Sequence, residues 1–396
     1  MAVSPRCGAA ATLAILAGAL STGAPALAAD VTWNLRLALD ERYDDNIIQL
    51  SDRDINRLEN PTPQQAASNL AAKRFAIETA GDFVSIPRLS SGLRVAWLAG
   101  APTAFDLDLA DYRYQENPIK NYRFYRISAS QPLHGGKAHA TLLRLSNAVI
   151  PSFYLRNLIS DRAVEEGVVP LTNPVPRLEA TYQKVVTQVE IDQEIAPDRL
   201  WLAAIVGDER RNYDRFFDER DSHMPFHEFA CVWTPLGSGR VRVHVSHRRE
   251  DLHAGGDLSD TVTVESDVSS RRDIFTANGR LRWGAKGRRE WISLDFEDER
   301  RDYVTTNSLS DPFHFNRFDR RRYATLAYHA DLRKGWFLTA QAERDTNRSR
   351  FGSQTGLSSD PNDTTDYTEN LVQVGFGYAF GLGERERQPE GPSRPW

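Results

Sequence analysis

The chain has 396 residues, a formal net charge of −5 and a charged fraction of 26%. A balance this close to neutral names no partner and gives no reason to expect nucleic acid. Beyond the N-terminus no stretch holds the roughly twenty apolar residues of a membrane helix, so helical spans are excluded. The composition is ordinary for a soluble protein, but a barrel with a wet interior shares it.

The first element is a secretory signal over residues 1–28. Arg6 precedes an apolar run from Ala9 to Leu20, and Ala26-Leu27-Ala28 offers small side chains to a signal peptidase, with cleavage expected after Ala28. Cys7 falls inside this segment, which leaves Cys231 alone in the mature chain and rules out an internal disulfide. An exported chain without helical spans is periplasmic, secreted or a β-barrel.

Strand-like alternation fills most of the mature chain. Strands expected to run away from the periplasm are 31–44, 105–114, 137–150, 199–213, 239–250, 288–303 and 335–347. Those returning are 90–100, 121–132, 178–193, 224–235, 271–285, 319–333 and 367–380. The segment 45–89 interrupts this rhythm: Pro61 to Lys73 reads as briefly helical and Arg74 to Ile86 as a possible further strand. It is expected to be an extended loop packed over or into the mouth, with the strand count at fourteen, or toward sixteen if the extra strand forms. Connections alternate between short turns, such as Arg333-Lys334-Gly335 with glycine in the left-handed position, and long polar loops, which is the habit of outer-membrane barrels.

The hairpin from Arg271 to Tyr303 shows the pattern most clearly. Phe275, Ala277, Gly279, Leu281 and Trp283 alternate with polar residues on one limb, and Ile292, Leu294 and Phe296 on the other. A period of two gives each strand one apolar and one polar face. Pairing Trp283 with Ile292 would make Gly287-Arg288 a two-residue turn and set Arg280 opposite Asp295. One face suits hydrocarbon and the other is too charged for a protein core.

Trp33, Trp97, Trp201, Trp233, Trp283, Trp291 and Trp336 all fall near the expected periplasmic end of their strands. An indole settles at a lipid headgroup boundary, so these residues are expected to form an interfacial girdle, with Trp291 alone pointed inward by the alternation. At the opposite end rising strands run into similar charged clusters: Asp40-Glu41-Arg42-Tyr43, Asp208-Glu209-Arg210-Arg211 and Asp298-Glu299-Arg300-Arg301. Solvated strand ends account for them.

The first strand ends in Tyr43-Asp44-Asp45-Asn46, and the last alternates Val372, Val374, Phe376, Tyr378 and Phe380. In these features, and in pattern over the whole mature chain, the sequence resembles the outer-membrane β-barrel porins of bacteria. The resemblance implies an all-β, transmembrane, antiparallel up-and-down barrel over 29–380. It also implies a location in the bacterial outer membrane, contact with outer-membrane lipids, and a closing strand read by the barrel-assembly machinery. One departure is the tail, 381–396, which is rich in Pro, Glu and Arg, lacks alternation and is expected to be disordered.

No catalytic residue, metal site or cofactor is expected. There is no G-x-S-x-G elbow. His244 and His247 stand on opposite faces of a strand; His223 and His227 share one face but read as polar strand residues. The better candidates are charges whose phase points them into the lumen: Arg36, Arg94, Arg126, Arg242, His244, Arg248, Arg280 and Arg282, with Asp106, Asp108, Glu190, Asp295 and Glu297. Arg242, Arg280 and Arg282 would make one basic wall and Asp106 with Asp108 an opposed acidic one, a transverse field that sorts polar solutes. The function expected is passive diffusion through this lumen. A non-conducting barrel plugged by 45–89, which binds polysaccharide or a partner, and an outer-membrane hydrolase using His223, His227 or His314, stand as alternatives. Solute and oligomeric state are not written in the sequence.

Overall fold

In the computed structural model, fourteen antiparallel strands close into one barrel, each paired with its sequence neighbours and the last returning to the first. The structure describes residues 31–98, 101–134, 140–236, 239–255, 268–284, 289–305, 314–351 and 365–382. The strands are β1 (Val31–Asp44), β2 (Asp82–Leu98), β3 (Ala101–Tyr114), β4 (Tyr122–His134), β5 (Thr141–Leu158), β6 (Leu178–Ala196) and β7 (Leu200–Tyr213). Then come β8 (Ser222–Trp233), β9 (Val241–Ala254), β10 (Ser270–Trp283), β11 (Glu290–Tyr303), β12 (Phe318–Asp331), β13 (Trp336–Arg350) and β14 (Tyr367–Leu382). The expected up-and-down barrel is therefore present, with the lower of the expected strand counts. The signal segment and nearly all of the tail lie outside the described residues.

Alternation decides which way each side chain points. Leu37, Leu39, Val206, Leu294, Leu326 and Val374 sit on the outer face and are exposed; Phe229 there reaches 64%. A continuous band of apolar side chains turned away from the interior is costly in water and fits hydrocarbon. The inner face carries the charges.

Two strands run further than the alternation implied. β2 begins at Asp82, so 82–89 belongs to the wall, and β5 continues through 151–158. In both, the inner face is apolar as well: Val84, Ile86, Ile150 and Tyr154 are buried. That double apolarity hides the period of two, and β5 is further disguised by register shifts between Ile150 and Phe153 and between Tyr154 and Arg156.

What covers these inner residues is the segment between β1 and β2. It holds helix α1 (Asp52–Glu59), capped by the Ser51 hydroxyl accepting from Asp54 N at 3.2 Å, and helix α2 (Pro63–Ala71), which starts with a Thr62/Gln65 capping box. A third short helix, α3 (Asp161–Glu165), follows β5. Ile47, Ile48, Leu50 and Ile77 from the segment pack with Val84, Ile86, Ala110, Tyr112, Tyr114, Tyr122, Ile150 and Tyr154 in one cluster. The segment before β2 thus packs against the inner face of β2–β5, and no extra strand forms over 74–81. The Arg333-Lys334-Gly335 turn also matches: Gly335 has φ +89°, and the Cβ of any other residue would meet Ala379 O at 2.7 Å.

The β10–β11 hairpin departs from its expected register by two residues. Trp283 faces Glu290, Leu281 faces Ile292 and Arg280 faces Ser293. A shift of two keeps every side chain on its face, but Asp295 now opposes Asn278, not Arg280. The connection becomes 284–289, longer than a two-residue turn; Gly287 and Arg288 lie outside the described residues.

Candidate functional site

The inner face is the site that the fold builds. Ladder parity places Arg36, Arg94, Arg126, Arg242, His244, Arg248, Arg280, Arg282, Asp106, Asp108, Glu190, Asp295 and Glu297 there. Arg242 and Arg280 are direct cross-strand partners. Around the closed ring β3 and β10 are seven steps apart in either direction, so the Asp106/Asp108 strand stands diametrically across from Arg280 and Arg282.

The acidic side differs from the simple expectation. Asp108 is held by Arg126 on the next strand at 2.7 Å, which cancels much of its charge. The densest acidity lies on β6, where Asp192, not singled out from sequence, shares the inner face with Glu190. Arg144 bridges the two, at 2.6 Å to Glu190 and 3.7 Å to Asp192. Asp295 accepts from Asn278 and, at 3.3 Å, from Ser293.

Trp291 does point inward, and it is part of a ladder of stacked groups. The Arg280 guanidinium lies 6.0 Å from the Trp291 ring, which stacks on His329 at 5.4 Å and 10°. His329 stacks on Phe337 at 5.7 Å, and Arg36 sits 4.0 Å above Phe337. Each flanking arginine gains from the ring quadrupole beneath it. These groups fix the basic wall in place on its β11–β13 side.

Nearer the rim, the charged clusters read as solvated strand ends divide by parity. Asp208, Arg210, Asp298 and Arg300 face outward, whereas Glu209, Arg211, Glu299 and Arg301 face inward and form a buried belt. Lys184 meets Glu209 at 2.9 Å and Arg211 meets it at 2.7 Å; Glu250 takes Arg248 at 2.7 Å and Arg272 at 3.3 Å. Glu299 takes Arg301 at 2.6 Å, and Arg321 binds Asp345 with its Nε at 2.8 Å. Buried carboxylates need such partners, since an unpaired charge there costs several kcal/mol. Parity applied to these clusters would have found the belt.

Four of the expected girdle tryptophans, Trp33, Trp233, Trp283 and Trp336, are exposed on the outer face at the short-turn end. Trp201 is not among them. It pairs with Glu194 and Val232, one residue out of phase with the exposed Leu202, and so faces the interior. The register slip between Glu194 and Ala196 blurs the phase at that end of the β6–β7 pair. The Trp97 side chain lies outside the described residues.

His244 and His247 do part to opposite faces, while His223 and His227 both face outward, His223 stacked on His253 at 5.4 Å. His314 stacks on Tyr303 at 4.6 Å. Among the described residues no three His, Cys, Asp or Glu side chains converge as metal ligands.

No family model matches the sequence, and no curated protein matches it. Solved structures do match. The outer membrane channel DcaP of Acinetobacter baumannii superposes with TM-score 0.41 at 10% identity, covering 89% of this chain and 97% of that one. The anion-selective porin from Comamonas acidovorans gives 0.40 at 10%, covering 89% and 100%, and the outer membrane protein OpdK from Pseudomonas aeruginosa 0.36 at 10%, covering 88% and 99%. The neighbours are outer-membrane proteins. Likeness this low carries no solute or mechanism across, so what this barrel does has to come from its own side chains.

Proposed function

We propose that the protein is an outer-membrane channel through which small polar and charged solutes diffuse passively. Residues 1–28 export it, the barrel-assembly machinery reads its closing strand, and lipid covers its apolar band. The observation that supports this best is the pairing of Arg242 with Arg280 on an inner face across the ring from Asp106 and Asp108, with the outer face apolar. Charges that sit half-buried on the inside of a closed barrel serve no core; they give passing solutes a field to align in. Arg36, Arg94, Glu190, Asp295 and Glu297 line the same path. Selectivity then follows from the basic wall, with Asp108 and Glu190 muted by Arg126 and Arg144. Purified protein in planar bilayers is expected to show discrete conductance steps; a silent bilayer with correctly folded protein rejects the channel.

A second reading is favoured by the cluster that seats residues 47–77 in the mouth. There the segment is a plug, and the barrel serves as a binding scaffold whose outer loops meet polysaccharide or a partner. Removing residues 47–80 separates the two. Conductance that exists before the deletion supports the channel, and conductance that appears only afterwards supports the plug.

A further inference from the structure

Outside the lumen, the outer face of β11–β13 gathers arginines in a way that ladder physics disfavours. Arg300 is the direct cross-strand partner of Arg320, and Arg320 of Arg348, so three guanidinium groups stand in a row on one face. Like charges directly opposite one another destabilise a sheet. Arg322 and Arg344 share that face below the row. Among the described residues Asp273 stands directly across from Arg300 on β10, and two further carboxylates, Asp298 and Asp366, form ion pairs with four of these five cations. Asp298 takes Arg320 at 2.7 and 2.9 Å, Arg322 at 3.5 Å and Arg300 at 3.8 Å, and Asp366 takes Arg348 at 3.7 Å. Arg344 has no ion pair among the described residues. Among the described residues the five arginines of this sector therefore outnumber the carboxylates placed to answer them. On the far side, Arg113 and Arg123 share Asp111 at 2.8 and 3.7 Å and no such row forms.

Height and direction select the occupant. Phe296, Leu326, Ala324 and Ala342 on the same outward face mark the apolar band. Asp298 and Arg300 follow Phe296 along β11 at about 6.8 Å per two residues, and Arg322 and Arg320 lie beyond Ala324 on β12 in the same way. A solute in the lumen cannot reach groups on the outer face. An anion at the boundary between hydrocarbon and water can, and the guanidinium fork matches a phosphate bidentately.

We infer that Arg300, Arg320, Arg322, Arg344 and Arg348 form a docking site for the phosphate groups of an anionic glycolipid headgroup in the outer leaflet. This rests on the reading of the barrel as a membrane protein. Each phosphate bridges neighbouring arginines of the row and turns a repulsive cross-strand contact into a clamp on the lipid.

The test uses the full chain folded into phosphatidylcholine vesicles with and without bis-phosphorylated lipid A, with lipid retained after detergent extraction read by native mass spectrometry. The wild type is expected to keep lipid A, and R300Q/R320Q/R348Q to keep it roughly tenfold less well, as for loss of a charge-assisted pair. R344Q/R348Q serves as the milder variant if the triple does not fold, and R113Q/R123Q is expected to match the wild type. Equal retention by the arginine-row variants overturns the proposal. So does equal retention of dephosphorylated lipid A, or its phosphorylated form being displaced by millimolar inorganic phosphate, which would make the row a general anion site. A wild type that folds into neither vesicle overturns this together with the membrane reading; one that folds but retains no lipid A overturns this alone.

Discussion

Asp45 and Asn370 are joined three times: the Asp45 backbone N–H donates to Asn370 O at 3.1 Å, the Asn370 backbone N–H donates to Asp45 Oδ1 at 2.6 Å, and its side-chain amide donates to Oδ2 at 2.7 Å. This clamp closes the seam between the first and last strands just where the chain leaves the wall and turns into the mouth. Asn46, buried beside it, completes the turn. Its amide donates to Leu50 O at 2.7 Å and Thr368 O at 3.0 Å, while its oxygen accepts from Leu50 N at 2.7 Å. The Tyr-Asp-Asp-Asn pattern is thus the anchor of the inserted segment.

Asn46→Ala is expected to leave these backbone groups buried without partners, at a cost of about 2–4 kcal/mol. That is enough to loosen the segment while the strand ladder stays intact. Trypsin cleavage at Arg53, Arg57 or Arg74 should accelerate, and the heat-modifiable gel mobility of the barrel should persist. Wild-type protection of the segment in the variant would show that the cluster around Tyr112, not Asn46, holds it.

Neighbouring carboxylates in one strand give a test of parity. Glu299 faces inward, is 3% exposed and is held by Arg301 with Arg272 beyond it; Asp298 faces outward into the arginine row. Glu299→Gln leaves buried arginines without their shared counter-charge and is expected to cost about 3–5 kcal/mol. Asp298→Asn removes partly exposed pairs and is expected to cost about 1 kcal/mol or less. Denaturant unfolding in detergent micelles measures both, and equal costs would count against a packed inner belt.

Strands with one apolar and one charged face were legible because a period of two survives any shift of register by two. The β10–β11 pair shows this: Arg280 faces Ser293 rather than Asp295, yet each residue is on its expected side. Legibility failed where that period was covered or broken. Val84, Ile86 and Ile150 are apolar on the inner face because the 45–81 segment sits on them, a tertiary fact absent from the local pattern. Trp201 lies beside a slip in the β6–β7 ladder. Which face of the wall each charge takes was legible in its phase, but which of the inward charges are neutralised was not. Arg126 reaches Asp108, and Arg144 reaches Glu190, only once the strand pairing is known.

Selectivity is expected to reside in the basic wall. Arg242 and Arg280 face each other directly, so reversing both to glutamate inverts the local field instead of merely thinning it. At roughly 1 kcal/mol for a close unit charge in water, each reversal changes the charge by two units and should shift ion partitioning about thirtyfold. R242E/R280E is therefore expected to move the reversal potential in a salt gradient toward cation preference while conductance persists. The paired Asp108→Asn should move it far less, because Arg126 already masks that carboxylate. An unchanged reversal potential in the double variant would remove the basic wall from the selectivity argument.

Packing on the inner face predicts a different kind of failure at Gly377. A Cβ there would lie 2.2 Å from the Phe337 ring and 2.4 Å from the Leu37 carbonyl oxygen across the β14–β1 seam. The ring is pinned from its other side by Arg36 at 4.0 Å and by His329, so it has little room to move, and the carbonyl belongs to the ladder itself. Gly377→Ala is expected to cost about 1–3 kcal/mol by overpacking and to slow closure of the barrel. Phe337→Leu in the same chain vacates the space over the glycine, so G377A/F337L should recover part of the lost folding yield even though Phe337→Leu alone also destabilises. Vesicle folding followed by gel mobility distinguishes these outcomes. Additive losses in the double variant would mean that the Leu37 carbonyl, not the ring, sets the limit at this position.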